Sequence, residues 1–246
     1  VGDLYSLDSK AGRIAARLFA TDNVTIDYAF DVSQERNRPN YSQLTRVGAG
    51  GIFDPTSSIY LGIPLYQYIQ SSPASRTAYI NGSVNNSPVF EDAGFRAHSL
   101  TVTWDVNDDL TLKSLTGYRW IDWSNSLDLD GSPLEIAATQ LYAHYHAFSQ
   151  ELQATGKVDR LRYTAGAYYF SDGGLTQNPQ EFFLGSAVYD SRYGYGTEAY
   201  ALYGQLDYVP PILDDKLTLT AGLRYSNEDK FGSRYEAAGT LVGLAP

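Results

Sequence analysis

The sequence of 246 residues contains no cysteine and no methionine, and only three histidines. Without thiols there is neither a disulfide framework nor a thiolate metal site. Without methionine, residue 1 is not a translational start, so the expectation is that other residues precede Val1 in the native protein. Residues 1–10 have neither the basic start nor the apolar run of a signal peptide. Basic residues are scarce as well: 18 Lys and Arg stand against 28 Asp and Glu, for a formal charge of -10 and a pI of about 4.7. Phosphate neutralisation needs clustered Lys and Arg, so no nucleic-acid partner is expected. No apolar run approaches the roughly 18 residues of a transmembrane helix. The longest uncharged span, 55–75, is broken by Pro64 and Pro73. A membrane β-barrel survives this test, because its strands alternate and produce no hydropathy peak.

Catalytic signatures are missing too. There is no G-x-S-x-G, no Gly-rich phosphate loop and no H-E-x-x-H, so no catalytic residue and no cofactor is assigned and the chain is not expected to be an enzyme. The pairs Asp108/Asp109 and Asp214/Asp215 fall in short turns, where Asp satisfies local backbone donors. Asp128 and Asp130 offer oxygens to a divalent ion in an outer loop, with a turn again the favoured explanation.

What the chain does contain is glycine, tyrosine and alternation: 22 Gly, 21 Tyr and 14% aromatic residues. In "VTIDYAFDV", Val24, Ile26, Tyr28, Phe30 and Val32 alternate with polar residues, a period of two held for about ten positions. The same plan recurs in four hairpins of one all-β domain. The expected strands cover residues 12–20, 24–35, 93–105, 110–123, 145–156, 161–170, 198–209 and 217–229. Register is ambiguous in 113–123, where Ser114 and Thr116 share a face with Tyr118 and Trp120. Links within hairpins are short, whereas those between hairpins, 37–92, 124–143 and 171–197, are long and fall on one edge of an up-and-down sheet. Short turns on one side and long loops on the other are the pattern of bacterial outer-membrane barrels. Tyr118, Trp120, Tyr168, Tyr169, Tyr225, Trp104 and Tyr208 sit toward strand ends, as an interfacial aromatic girdle requires. Arg224, Thr220, Glu151 and Gln153 are expected to face the lumen. Alternation alone does not say which face points outward, since a soluble barrel with an apolar interior has the same period.

The stretches "LKSLTGYRWID", "FSQELQATGKVDRLRYTAGAYYF" and "YALYGQLDYVPPILDDKLTLTAGLRYSNEDK", in that order, resemble barrel strands of TonB-dependent outer-membrane receptors. The resemblance implies an antiparallel transmembrane β-barrel of about 22 strands, filled by a separate plug domain. Only eight to ten strands fit here and no plug-like segment is present, so the expectation is an interior segment of the barrel domain, with the plug domain not present. It also implies location in the bacterial cell outer membrane, contact with outer-membrane lipid and lipopolysaccharide, and energy from a TonB-type complex acting through the absent plug. The expected function is energy-coupled uptake of a scarce small-molecule ligand: an iron-siderophore or other iron chelate, a cobalamin or a glycan. A passive porin-like or small eight-stranded barrel, and an outer-membrane enzyme barrel, stand as alternatives.

Candidate ligand contacts come from tyrosines in the long loops, Tyr60, Tyr66, Tyr68, Tyr189, Tyr193 and Tyr195, whose rings can stack on a planar ligand. His144 and His146 have the i, i+2 spacing that puts both on one face of a strand. They are weak metal candidates beside the simpler reading of two solvated imidazoles.

Overall fold

A computed structural model describes residues 6–38, 48–62, 89–131 and 136–239. Eight strands follow one another: β1 (Leu7–Thr21), β2 (Val24–Asn37), β3 (Phe90–Asn107), β4 (Leu110–Asp128), β5 (Ala137–Val158), β6 (Leu161–Phe182), β7 (Ala187–Tyr208) and β8 (Leu219–Gly239). Each pairs antiparallel with its sequence neighbours, in the order β1 to β8. β1 and β8 do not pair with each other, so the sheet is an open arc and not a closed barrel.

One edge of the arc carries tight turns made by short polar side chains. Thr21 Oγ1 donates to Asn23 Oδ1 at 2.7 Å, and the Asp109 amide donates to Asn107 Oδ1 at 2.9 Å. Asp159 takes a left-handed φ of 51° in the two-residue link between β5 and β6. The β7–β8 link holds Pro210, Pro211 and a single 3-10 turn over Leu213–Asp215, pinned by an ion pair between Arg160 and Asp215.

Eight strands overlap the eight expected ones, and at the far edge they run past the expected ends. The segment 171–197, expected as a loop, is the upper half of β6 and β7, joined by only residues 183–186. β4 continues to Asp128 and β5 begins at Ala137, β2 continues to Asn37 and β3 begins at Phe90, while β8 begins at Leu219 instead of 217. The physical reason is that the backbone ladder continues beyond the level at which one face must be apolar. There both faces become polar, the period of two vanishes from the side chains, and the strand persists. β5, β6 and β7 each have 22 residues, about 70 Å of chain at 3.3 Å per residue.

Directly paired residues share a face, so register assigns the two sides. One face runs Leu223, Gly204, Ala165, Ala154, Leu112, Trp104, Val24 across β8 to β2; the next parallel row runs Tyr225, Leu202, Ala167, Leu152, Ser114, Val102, Ile26. The opposite face includes Arg224, Tyr203, Gly166, Gln153, Lys113, Thr103 and, one row on, Ser226, Ala201, Tyr168, Glu151. Arg224, Thr220, Glu151 and Gln153 all lie on this polar face, as expected. Exposure runs opposite to a soluble core. On central strands Leu152 and Leu202 are 53% and 61% exposed, while Ala147 and Ala201 on the polar face are 4% and 3% exposed. The apolar face is therefore outer and the polar face is the sheltered inside of the arc.

β4 pairs with β5 without a break from Leu110 to Asp128, so Ser114 and Thr116 do share the outer face with Tyr118 and Trp120. Their polarity is satisfied locally: Thr116 Oγ1 donates to Gln150 Oε1 at 2.6 Å and Gln150 Nε2 to Ser114 Oγ at 2.9 Å. Above them the outer face carries a continuous belt of rings. Phe30 meets His98 at 4.8 Å, His98 meets Trp120 at 5.6 Å, Trp120 meets Tyr118 at 3.9 Å, Tyr118 meets Phe148 at 6.4 Å and Phe148 meets Tyr169 at 6.2 Å. Tyr168, expected in this girdle, lies on the inner face, because Tyr169 takes the outer one and adjacent strand residues point apart. Tyr208 and Tyr200 mark the lower and upper limits of the band on β7, eight residues and about 26 Å of strand apart. The nine residues from Tyr200 to Tyr208 fall within the roughly 9–11 that a tilted membrane-spanning strand uses.

Candidate functional site

Below the belt the inner face holds a neutral polar row, Gln205, Thr164, Thr155 and Thr111, beside a row in which Arg224 stands 5.6 Å from the Tyr203 ring and Tyr203 Oη donates to Glu151 at 2.6 Å. Above the belt, rings and charges interleave again and more densely.

Tyr145, Gly174 and Tyr195 are paired across β5, β6 and β7. Gly174 has no side chain, so the two tyrosine rings meet over it with centroids 6.4 Å apart and planes at 22°. A Cβ at Gly174 would lie 2.5 Å from Tyr195 Cζ, so the glycine is what permits the stack. Tyr145 Oη donates to Asp172 Oδ2 at 3.0 Å and accepts from Arg119 Nη2 at 3.2 Å. The Arg119 guanidinium stands 5.5 Å from the Tyr145 ring centroid, within cation–π range. Lys230 falls on the same row as Asp172 and Arg119. One row beyond the Tyr145–Tyr195 pair, Arg234 stacks 5.5 Å from the Tyr193 ring and pairs with Glu236, which also accepts from Ser191 Oγ at 3.2 Å. Trp123 Nε1 donates to Glu91 Oε1 at 3.2 Å on the same wall. The result is a strip of rings whose edges carry guanidinium, ammonium and carboxylate groups, with Lys230 paired to Glu228 and Arg234 to Glu236.

Of the tyrosines chosen from the sequence, Tyr193 and Tyr195 are brought into this strip, and Tyr189 continues it on the same face of β7, edge-on to Phe182 at 6.0 Å. Tyr60 lies in the separate segment 48–62, which reaches the β6–β7 tip through a Phe53–Phe183 ring contact at 6.3 Å. That segment is organised by Asp54, which accepts from the amides of Gly50 at 2.7 Å and Thr56 at 2.9 Å; these hydrogen bonds hold its carboxyl below the usual range. Tyr66 and Tyr68 lie outside the described residues. Sequence reading missed Tyr145, Arg119, Asp172, Lys230 and Arg234. For Tyr145 and Arg119 the signal was available as parity, since both lie within the expected strands 145–156 and 110–123 and counting by twos from Glu151 leads to Tyr145; Asp172, Lys230 and Arg234 lie beyond the expected strand ends.

His144 and His146 share the outer face, not the inner wall. His144 Nδ1 is 2.7 Å from Asp122 Oδ1, and the His146 ring packs over Gly173. Among the described residues no group of three His, Cys, Asp or Glu is placed to hold a metal ion. Asp128 and Asp130 build a turn: Asp128 Oδ1 accepts from the amides of Asp130 and Gly131 at 3.0 and 2.9 Å, and Asp130 Oδ2 accepts from the Ala137 amide. Asp128 Oδ2 is buried without a partner, and burial pushes its carboxyl up to about 6.

The comparisons agree with this geometry. No curated protein sequence matches the chain. Among solved structures, the ferric yersiniabactin uptake receptor FyuA from Yersinia pestis superposes with a TM-score of 0.59 at 13% identity, over 94% of this chain and 34% of that one. The ferric citrate transporter FecA in its unliganded form gives a TM-score of 0.55 at 11% identity, over 95% of this chain and 32% of that one. The chain thus spans about a third of the length of either, and at such identities the likeness is one of fold. The sequence profile described as "TonB dependent receptor-like, beta-barrel" matches residues 16–243. That match covers nearly the whole sheet, from within β1 to beyond β8, and the chain belongs to the TonB-dependent receptor β-barrel family.

Proposed function

We propose that the chain forms part of the wall of an energy-coupled uptake receptor in the bacterial outer membrane. The complete barrel of this reading has about 22 strands, and its plug, which engages the TonB-type energy complex, lies outside these residues. The wall captures a scarce small-molecule ligand, with an anionic iron chelate the class that fits best. The observation that carries this reading is the inner strip of Arg119, Tyr145, Tyr195, Lys230, Tyr193 and Arg234, set just above the level of the aromatic belt. Stacked rings give a flat contact, and the Arg119 guanidinium, which among the described residues has no carboxylate in ion-pair contact, meets acidic groups of the ligand. A passive pore needs no such strip.

The test is uptake by the full-length receptor in cells depleted of iron, with a panel of radiolabelled ferric chelates, glycans and cobalamin. One chelate is expected to accumulate in a way abolished by a protonophore and reduced about tenfold by Tyr195→Ala. Accumulation that ignores the protonophore would replace this reading by passive diffusion.

A further inference from the structure

The far edge of the sheet holds a buried carboxylate that the inner strip does not use. Asp128 ends β4 and is 8% exposed; its Oδ1 accepts from the amides of Asp130 and Gly131, and its Oδ2 is buried without a partner. Two residues back on the same face, about 7 Å along the strand, Ser126 is 1% exposed and its hydroxyl is also buried without a partner. A charged carboxylate taken out of water with one oxygen bare is costly, and losing the charge relieves that cost. A protonated Oδ2 also becomes a donor, on the face where Ser126 Oγ offers an acceptor.

The charges around Asp128 do not offset its own. Asp130 stands on the same turn, Asp92 of β3 lies on the same face beside Ser124, Glu181 of β6 lies across Ala138, and segment 48–62 brings Asp54. His144 of β5 and Arg192 of β7, basic groups of that face, are held by Asp122 and Asp190. Arg96 of β3 and His146 of β5 lie in the row of Trp120, eight residues down β4 and about 26 Å away.

The turn that Asp128 anchors is fastened to its neighbours. Asp130 Oδ2 accepts from the Ala137 amide at 2.9 Å, and the Leu129 amide donates to the Ala137 carbonyl at 2.9 Å. Both bonds fix the adjacent Ile136, a buried residue whose carbonyl accepts from the Phe183 amide at 2.7 Å. Phe183 and Leu184, at the tip between β6 and β7, take left-handed φ values of 54° and 57°, which bulky residues keep only where their surroundings hold them. The Phe183 ring meets Phe53 of segment 48–62, and Phe182 meets Tyr189 at the upper end of the inner strip. A strained tip held through Ile136 is an element poised between a fastened and a released state.

We propose that Asp128 works an acid-tightened clasp, which fastens the β4–β5 corner to the tip of β6–β7 and so to segment 48–62. Protonation removes the bare charge from the corner, the corner holds Ile136, and Ile136 holds the tip. Burial pushes the Asp128 carboxyl up to about 6 in the folded protein, above 3.8 in the open chain, so the fastened corner takes the proton first. The clasp is fully tight below 3.8 and loosens as pH rises through 6. It does not depend on which ligand the inner strip takes.

The experiment is hydrogen exchange of the full-length receptor at pH 5 and pH 7, read by mass spectrometry in peptides covering 180–187 and corrected for the intrinsic pH dependence. Protection of the tip is expected to rise about tenfold from pH 7 to pH 5, the linkage of a carboxyl that titrates near 6 only while the clasp is fastened. Asp128→Asn keeps the Oδ1 acceptor and removes the charge, so its tip is protected equally at both pH values. Glu181→Gln, which neutralises the acid across Ala138, leaves the native pH dependence in place. A native tip whose corrected exchange is the same at both pH values would overturn the clasp without recourse to any variant. So would a pH dependence that survives Asp128→Asn, or a gain confined to the Asp130 and Gly131 amides, since the corner would then titrate alone.

Discussion

Leu152→Arg tests the assignment of faces with the largest expected effect. Leu152 sits in the central strand β5, on the outer row between Ala167 and Ser114, and four residues below the belt residue Phe148. An arginine facing lipid near the bilayer midplane costs about 2–4 kcal/mol. Removing the leucine also removes about 1.5–3 kcal/mol of apolar transfer. Together the penalty is about 3.5–7 kcal/mol, a large part of the 5–15 kcal/mol that holds a typical fold together. The matched control is Thr164→Arg, on the inner polar row between Thr155 and Gln205, where water and polar neighbours keep the change within about 1 kcal/mol. The assay is refolding of the full-length receptor into vesicles, with the folded fraction read by gel mobility without heating and stability read by denaturant titration. The reasoning fails if the two variants lose stability equally, or if the inner one loses more.

Other outcomes follow from individual contacts. Gly174→Val forces its side chain into Tyr195 and breaks the stack with Tyr145, so near-ultraviolet circular dichroism changes and stability falls by about 1–3 kcal/mol, whereas Gly204→Ala, whose Cβ would meet nothing closer than 3.7 Å, is tolerated. Gln150→Leu leaves the Ser114 and Thr116 hydroxyls unpartnered in lipid and costs about 1–3 kcal/mol, while the triple change with Ser114→Ala and Thr116→Val restores stability to near the native value; denaturant titration separates the two. Asp128 lies at the outer end of β4, beyond the belt, and its carboxyl is pushed up to about 6 in the folded protein against 3.8 when unfolded. The folded state therefore binds the proton first, so stability of this corner rises as pH falls from 7 through 6 toward 4 and is flat above 7. Hydrogen exchange at the Asp130 and Gly131 amides, corrected for the intrinsic pH dependence, should show that gain, and Asp128→Asn should abolish it.

The sequence disclosed the fold where physics imposes a rule on neighbouring residues. Leu219, Leu223 and Tyr225 alternate with Thr220, Gly222 and Arg224 because lipid and lumen demand opposite side chains from one strand, and that demand placed the lower part of every strand. It stops at the aromatic belt. From Tyr168 and Tyr169 upward, β6 reads Ser171, Asp172, Gly173, Gly174, a run that resembles a loop, since water now lies on both sides and only backbone hydrogen bonds mark the strand. Asp172, Lys230, Arg234, Tyr193 and Tyr195 of the candidate site lie in this silent region, while Tyr145 and Arg119 lie at its edge. Tyr193 and Tyr195 were visible by residue type alone; their partners Tyr145, Arg119 and Asp172 come from three other strands, and only register places them together. Gly174 illustrates the limit well: in the sequence it suggests a turn, in the sheet it is the gap into which two tyrosines fold.

The central claim is that one face of this sheet meets lipid and the other a polar interior. The chain contains no cysteine, so single cysteines can be placed at each position from 146 to 156 of β5 in the assembled receptor, labelled with an environment-sensitive fluorophore, and challenged with a lipid-borne quencher and a water-soluble one. The account predicts that positions 148, 150, 152 and 154 are quenched from the lipid, that 149, 151 and 153 are quenched only from water, and that lipid quenching ends near 146. Quenching without a period of two, or with the two sets exchanged, would contradict it.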